Sequence, residues 1–279
     1  MNRLTINPTI FFVAIALSLI ISGFKPAWAE MKPILKFQVG VPPIAVLKTI
    51  LQSNQLTAKN PANKEFPTQT PPLITWLADC DAAIQPQQIM TNPAGKVFTV
   101  RNLGFQMEAS LDAVDFGVLQ LFSPILLITG NTGNQTIRLF MMEADQPVPE
   151  LRRPFELLKK SLTGVQQITN EESAIFEERL LENIEKNIDF QVGMAVSRYQ
   201  ERIKAGRLLV VGGIIDLHNQ YGRGPEKLII TNINGEGNDY CLRQLPIMKQ
   251  LDPETLTLVI GRDKTGKTEK GNSQCLKKY

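Results

Sequence analysis

Short apolar segments recur along the chain, and stretches rich in proline, glycine and polar residues separate them. The first, Leu73 to Ala78, is an almost unbroken apolar run of the kind found in strands buried on both faces. Four further segments have the length and composition of strands, so that the five predicted strands are 73–78, 97–104, 125–130, 208–215 and 228–233. The last of them is expected at the edge of the sheet.

Apolar residues at helical spacing lie between and after the predicted strands. They predict helices at 44–59, 110–122, 136–144, 154–162 and 170–205. Ser110 is expected to cap the second of these helices, and Gly206 to end the last one in the left-handed conformation. Strands that alternate with helices indicate an α/β fold: a mainly parallel sheet of four strands plus an edge strand, flanked by helices.

The N-terminus has the pattern of a secretory signal peptide. Arg3 supplies a positive charge, residues 10–21 form an apolar run, and Ala27-Trp28-Ala29 is a small-x-small cleavage site before Glu30. The apolar run is shorter than the roughly 20 residues of a spanning helix. We therefore expect residues 1–29 to be removed and the mature protein to be exported, to the periplasm or another extracytoplasmic compartment, without a transmembrane segment. An uncleaved anchor is the alternative.

The rest of the chain divides into three predicted parts. Residues 30–72 are a helical arm followed by a proline-rich linker, 73–235 are the α/β domain, and 236–279 are a C-terminal extension. Within the extension, a strand is predicted at Thr255 to Ile260. The match of Gly261–Thr268 to a phosphate-binding loop is interpreted as a charged turn, because no helix-forming sequence follows it.

Charge and cysteine content narrow the possible functions. The formal net charge is +3 and no long basic run occurs, so nucleic acid is not an expected partner. The three cysteines are Cys80, Cys241 and Cys275. Cys241 and Cys275 both lie in the extension and are the plausible disulfide pair of an exported protein. Cys80 is expected to be a small buried side chain at a strand end.

Polar side chains collect after the first and third predicted strands. Asp79, Cys80 and Asp81 follow one strand, and Asn131 and Asn134 follow the other. Ligands of open parallel sheets bind where such strand ends meet, so any chemistry is expected here.

The turn after the third predicted strand leads directly into a helix. Gly130, Asn131, Gly133 and Asn134 are candidate anion-binding residues, because helix N-termini attract anions. An ordinary glycine and asparagine turn is the alternative. His218, the single histidine, is interpreted as a surface residue.

The order and spacing of residues 76–139 resemble the β-class carbonic anhydrases. The family pattern Cys-x-Asp-x-Arg-x-x-Pro falls on residues 79–86 and Gly-His-x-x-Cys-Gly on 130–135, both without gaps. The pattern Pro-Gly-x-x-Phe-x-Val-Arg-Asn-x-Gly falls on 93–104, with one extra residue, Ala94, between its Pro and its Gly. The resemblance implies reversible hydration of CO2 to bicarbonate at a zinc ion. It also implies a homodimer or tetramer that uses the N-terminal arm.

The chain departs from the family pattern at the positions that bind metal. The Cys, His and Cys ligands fall on Asp79, Asn131 and Asn134, and carboxamide oxygens are poor ligands for zinc. Asp81 falls on the family's catalytic aspartate, but the arginine partner falls on Ala83. The alternative for Asp81, which the missing arginine favours, is a strand-end carboxylate that accepts hydrogen bonds from loop amides. Two functions stay open: an exported carbonic anhydrase with an altered metal site, or a non-catalytic member that binds bicarbonate, another anion or a protein.

Overall fold

The structure is a computed structural model that describes residues 47–53, 55, 71–143, 147–164, 174–261 and 275. The chain divides into two compact units, and the elements below belong to the larger one, residues 40–147 and 151–279. The predicted signal peptide lies outside the described residues, as does the charged turn at 261–268 apart from Gly261.

Five strands form one sheet. They are β1 Ile74–Asp79, β2 Val97–Asn102, β3 Ile125–Asn131, β4 Leu209–Asp216 and β5 Lys227–Ile233, in the spatial order β2-β1-β3-β4-β5. The first four are mutually parallel, and β5 pairs antiparallel with β4 at one edge. The predicted α/β fold with a mainly parallel sheet and an edge strand is confirmed.

The helices flank this sheet. In chain order they are α1 Leu111–Asp115, α2 Gln135–Glu143, α3 Arg152–Ser161, α4 Ala174–Arg198, α5 Gln200–Lys204, α6 Asp239–Gln244 and α7 Pro253–Val259. A π-helical turn, Phe116–Gln120, continues α1, and residues 47–53 are also helical. Gly206 has the predicted left-handed conformation, with φ +64°. Within the described ranges, no helix combines the length and hydropathy needed to cross a bilayer.

Two glycines allow α4 to lie close against the sheet. A Cβ at Gly130 of β3 would come within 2.6 Å of Ile184, and one at Gly212 of β4 within 2.6 Å of Ile188 and 2.8 Å of Val192. These three apolar side chains are fully buried and follow one face of α4. The close approach holds α4 against the middle of β4 and against the end of β3, where Asn131 directly follows Gly130.

The N-cap prediction for Ser110 is right in position, since Ser110 directly precedes α1, but wrong in its chemistry. The Ser110 side chain makes no capping hydrogen bond. Its hydroxyl instead accepts a hydrogen bond from the Asn102 side chain at 2.9 Å. A 3-10 turn, Glu108–Ser110, already precedes α1, so the helical chain begins before the predicted cap.

The predicted strand at Thr255–Ile260 is also wrong, because this segment lies in helix α7. Asp252 is the N-cap and accepts a hydrogen bond from the Thr255 N–H at 2.8 Å, and Pro253 occupies the first turn. The sequence Asp-Pro at a helix start is a stronger signal than the alternation of threonine and leucine that follows it. Ile260, just after the helix, forms a single parallel bridge with Ile230 of β5.

The extension is attached to the edge of the sheet. Leu242, Met248 and Ile260 pack with Ile233 of β5 in one apolar cluster. The predicted disulfide between Cys241 and Cys275 is present. Edge strands are otherwise open to pairing with other chains, and here the extension covers part of β5.

Candidate functional site

The polar residues predicted to collect at the strand ends do meet. Asp79 ends β1, Asn131 ends β3, and Asn134 directly precedes α2. Their exposed fractions are 4%, 1% and 0%. Asp81, in the loop after β1, is half-buried beside them. We call these four side chains the rim network.

Asp79 is a buried carboxylate held by donors from two neighbouring elements. One oxygen accepts a hydrogen bond from the Gly104 N–H at 2.7 Å, and the other accepts one from the Thr136 hydroxyl at 3.4 Å. Burial raises the pKa of Asp79 above its ordinary value, and the negative charge of Asp81 adds to this rise. Hydrogen bonding from Asn134, Gly104 and Thr136 opposes the rise in pKa. The carboxylate therefore lies beside the N-terminus of α2, where negative charge is stabilised.

The other three members of the rim network bind one another in a chain. The Asn134 Nδ2 donates to Asn131 Oδ1 at 3.1 Å, and the Asn131 Nδ2 donates to Asp81 Oδ2 at 3.0 Å. At one end of the chain, Asn134 Oδ1 accepts from the Ile137 N–H at 2.9 Å and so caps α2. At the other end, Asp81 Oδ1 accepts from the Ala83 N–H at 2.8 Å. The network is closed by backbone donors.

This donor set does not fit a zinc site. Zinc sites use thiolate, imidazole and carboxylate ligands, whereas two of the three positions here offer neutral carboxamides. The side-chain oxygens of Asp79, Asn131 and Asn134 each already accept a hydrogen bond from protein. Nowhere in the described part of the chain do three or more His, Cys, Asp or Glu residues form a group that could hold a metal ion.

Cys80 and His218 lie near the rim but outside its network. The prediction that Cys80 is buried is wrong, because its side chain is exposed. Partial burial, followed by the charge of Asp79, raises the pKa of the Cys80 thiol above its ordinary value, which disfavours the reactive thiolate. His218 is exposed as predicted, and its ring lies 2.7 Å from where a Cβ of Gly133 would be. The histidine therefore packs on the turn that joins β3 to α2.

Sequence reasoning assigned no role to Arg101, which positions the loop that carries Asp81. Its guanidinium donates to the backbone carbonyls of Asp81 at 3.3 Å and Ile84 at 2.5 Å. It also lies 5.7 Å from the centre of the Trp76 ring, which is fully buried in the core as predicted. An arginine in the middle of a predicted strand was the available signal, but its targets are backbone atoms about 20 positions away.

Comparison with known proteins agrees with this architecture. A family model for carbonic anhydrase matches residues 74–222, more than half of the chain. A tetrameric β-carbonic anhydrase from the filamentous ascomycete Sordaria macrospora is 16% identical with a TM-score of 0.50, over 62% of this chain and 90% of that one. The β-carbonic anhydrase CcaA is 13% identical with a TM-score of 0.51, over 62% and 84%.

These two structural likenesses, at such low identity, show the fold alone. No curated protein sequence matches the chain significantly. The family match covers the four parallel strands, the segments that connect them and the rim network. This chain therefore belongs to the β-carbonic anhydrase family.

Proposed function

We propose that this protein is an exported, non-catalytic member of its family, in which the zinc-ligand positions have become a structural network. The proposal depends on one observation. At all three positions, a side-chain oxygen that could face a metal accepts a hydrogen bond from the protein itself. A scaffold of this kind acts by binding, not by zinc-assisted hydration of CO2.

Electrostatics supports the proposal. A family site with two thiolates and one imidazole carries two negative charges towards the metal, whereas Asp79 and the two asparagines carry at most one. An ion placed among Asp79, Asn131 and Asn134 would compete with the hydrogen bonds that cap α2 and hold Asp79. Each buried group left without a partner costs about 1–3 kcal/mol.

Metal analysis of the purified mature protein, combined with a stopped-flow CO2 hydration assay on the same sample, tests this proposal. We expect zinc far below one ion per chain after dialysis, and no hydration above the buffer rate. A matched variant, Asp79→Cys/Asn131→His/Asn134→Cys, restores the family's ligand types and should retain zinc under the same conditions. Near-stoichiometric zinc in the wild type, removed only by a strong chelator, would contradict the proposal.

Hydration of CO2 is the second candidate function, and the position of Asp81 favours it. Its carboxylate is retained where the family has a catalytic aspartate, and Oδ2 lies 3.0 Å from the side-chain nitrogen of Asn131. If the assay detects hydration, Asp81→Ala should abolish it; because Asp81 also accepts hydrogen bonds from Asn131 and Ala83, the melting temperature should fall modestly, and circular dichroism should show that the variant is still folded. Activity that survives this substitution would place the reaction elsewhere.

Anion binding at the turn Gly130–Asn134 remains a proposal with weaker support. The turn does precede a nine-residue helix. However, the Thr132 N–H donates to the Ile215 carbonyl at 3.1 Å, and the carboxylates of Asp79 and Asp81 lie nearby. A bicarbonate titration that raises the melting temperature of the wild type, but not of Asn131→Asp, would support an anion site. No rise in either protein would count against it.

Export and oligomer formation complete the proposal. The signal-like N-terminus supports export, and so does the Cys241–Cys275 disulfide, because such bonds persist in oxidising compartments. Exposed Leu47, Ile50 and Leu51 on the helical residues of the N-terminal arm suit contact with a second copy. Mass spectrometry should find a mature N-terminus at Glu30, and an intact N-terminus would contradict export. Light scattering should give a dimer or tetramer, and a monomer would contradict oligomer formation.

A further inference from the structure

An apolar pocket lies at the end of the sheet opposite the rim network. Its volume is about 390 Å³. Leu208 and Leu209, at the start of β4, form one wall, and Ile233, at the end of the antiparallel β5, forms another. We call this cavity the basal pocket. Its volume lies within the range of roughly 300–1,000 Å³ typical of small-molecule sites.

The extension supplies the third wall of the basal pocket. Leu245 and Ile247 line it, and both lie beyond residue 222, where the family match ends. The pocket therefore combines the family domain with a segment particular to this chain. It is distinct from the site at the strand ends.

The wall formed by the extension is held in place. Leu242, just before Leu245, is fully buried in the apolar cluster with Ile233 and Met248. The Arg243 guanidinium donates to the carbonyls of Leu256 at 3.1 Å and Ile260 at 3.0 Å. The disulfide at Cys241 adds a covalent tie. Pre-organised walls reduce the entropy that a ligand loses on binding.

The lining of the basal pocket contains one carboxylate, Glu236, which is buried, and one guanidinium, Arg207, which is exposed. Glu236 is 8% exposed and its Oε1 accepts the Asn238 N–H at 2.9 Å, while Asn234 Oδ1 accepts the Val210 N–H at 2.9 Å. Arg207 is exposed and is the one cation of the lining; among the described residues no carboxylate forms an ion pair with it. Arginine binds carboxylates through paired, charge-assisted hydrogen bonds.

We propose that the basal pocket binds an amphipathic monocarboxylate, such as a medium-chain fatty acid, with the acyl chain among the apolar walls and the carboxylate on Arg207. The volume supports this class of ligand. The proposal is independent of the rim network and of zinc.

Titration calorimetry of the mature protein with decanoate, and with decanol as the neutral analogue, tests the proposal. We expect decanoate to bind one site per chain and to bind more tightly than decanol. Arg207→Gln should weaken decanoate about tenfold and leave decanol unchanged. Arg152→Gln, which alters an exposed arginine of α3 outside the pocket lining, is the matched control and should change neither affinity.

A second variant tests the apolar walls. Ile247 is 44% exposed, so Ile247→Glu is tolerated by the fold and places a negative charge in the pocket lining. It should weaken decanoate more than decanol, whereas Leu119→Glu, a similarly exposed position on the π-helical turn, should affect neither. Absence of decanoate binding would overturn the proposal. So would binding that both pocket variants leave unchanged, or equal affinity for the acid and the alcohol.

Discussion

The rim network and the basal pocket lie at opposite ends of the same sheet and treat their polar groups in opposite ways. At the rim, buried side chains satisfy one another, and backbone donors close the chain of hydrogen bonds. In the basal pocket, apolar walls surround open space, and Arg207 pairs with no carboxylate among the described residues. A closed network stabilises a fold, whereas open space beside an available charge can accept a ligand.

The largest effect is expected from the disulfide that ties down the extension. The double substitution Cys241→Ser/Cys275→Ser removes the cross-link between residues 34 positions apart. In the chain-entropy model, this lowers the free energy of unfolding by about 4 kcal/mol. The loss should lower the melting temperature and weaken decanoate binding. Cys80→Ser, at an exposed free thiol, is the control and should change stability by less than about 0.5 kcal/mol. Unchanged decanoate affinity in the double variant would show that the basal pocket does not depend on the disulfide of the extension.

The next largest effect is expected at the rim network. Asn134→Ala removes the cap of α2 and leaves Asn131 Oδ1 without its donor, so we expect a loss of about 1–2 kcal/mol. Gln135→Ala changes the adjacent exposed residue and should have a much smaller effect. Chemical denaturation measures both variants. Equal stability of the two would contradict a structural role for the network.

A smaller, pH-dependent effect is expected from Asp79. The pKa of Asp79 is raised in the folded protein, mainly by burial. At pH values between the ordinary and the raised pKa, the folded state therefore binds more protons than the unfolded state. The contribution of Asp79 to stability is therefore fully present below the ordinary pKa and is lost as the pH rises through the raised one. The wild type should gain stability relative to Asp79→Asn as the pH falls from 7 towards about 4. A difference in melting temperature that is constant over this range would contradict the burial argument.

The smallest effect concerns the reactivity of Cys80. Because its pKa is raised by partial burial and by Asp79, the native thiol should react with iodoacetamide more slowly at neutral pH than the same thiol in denaturant. Asp79→Asn removes one cause and should speed labelling of the native protein. Mass spectrometry of the Cys80 peptide reports the rates. Equal labelling rates in native and denatured protein would show that the folded surroundings of Cys80 do not change the reactivity of its thiol.

Most of the sheet could be predicted from the chain because strands buried on both faces require apolar runs, and such runs are visible in a single sequence. The helix at Pro253–Val259 was missed because Thr255 to Ile260 was interpreted as a strand and the Asp-Pro start before it was not considered. The burial of Cys80 was misjudged for another reason. Whether a strand-end side chain is covered depends on loops that pack over it, and these are distant in sequence.

The positions of the candidate site were predictable, but the partners were not. Asp79, Asn131 and Asn134 follow strands whose ends meet in any parallel sheet of this order. The donors that complete the site, Gly104 and Thr136, are 25 and 57 positions from Asp79. No local pattern marks a residue as a hydrogen-bond donor to a carboxylate so far along the chain.

By itself, the sequence determined the order of the five strands of the sheet and the pairing of two cysteines in the extension, because each is a matter of composition or spacing. The replacement of the family's metal-binding residue types was visible through the resemblance to the family's motifs. The tertiary structure decided that the replaced residues bind one another and that three separated segments leave an apolar cavity beneath the sheet. Both outcomes depend on side-chain contacts between elements far apart in the chain, and such contacts exist only once the sheet and α4 have packed together.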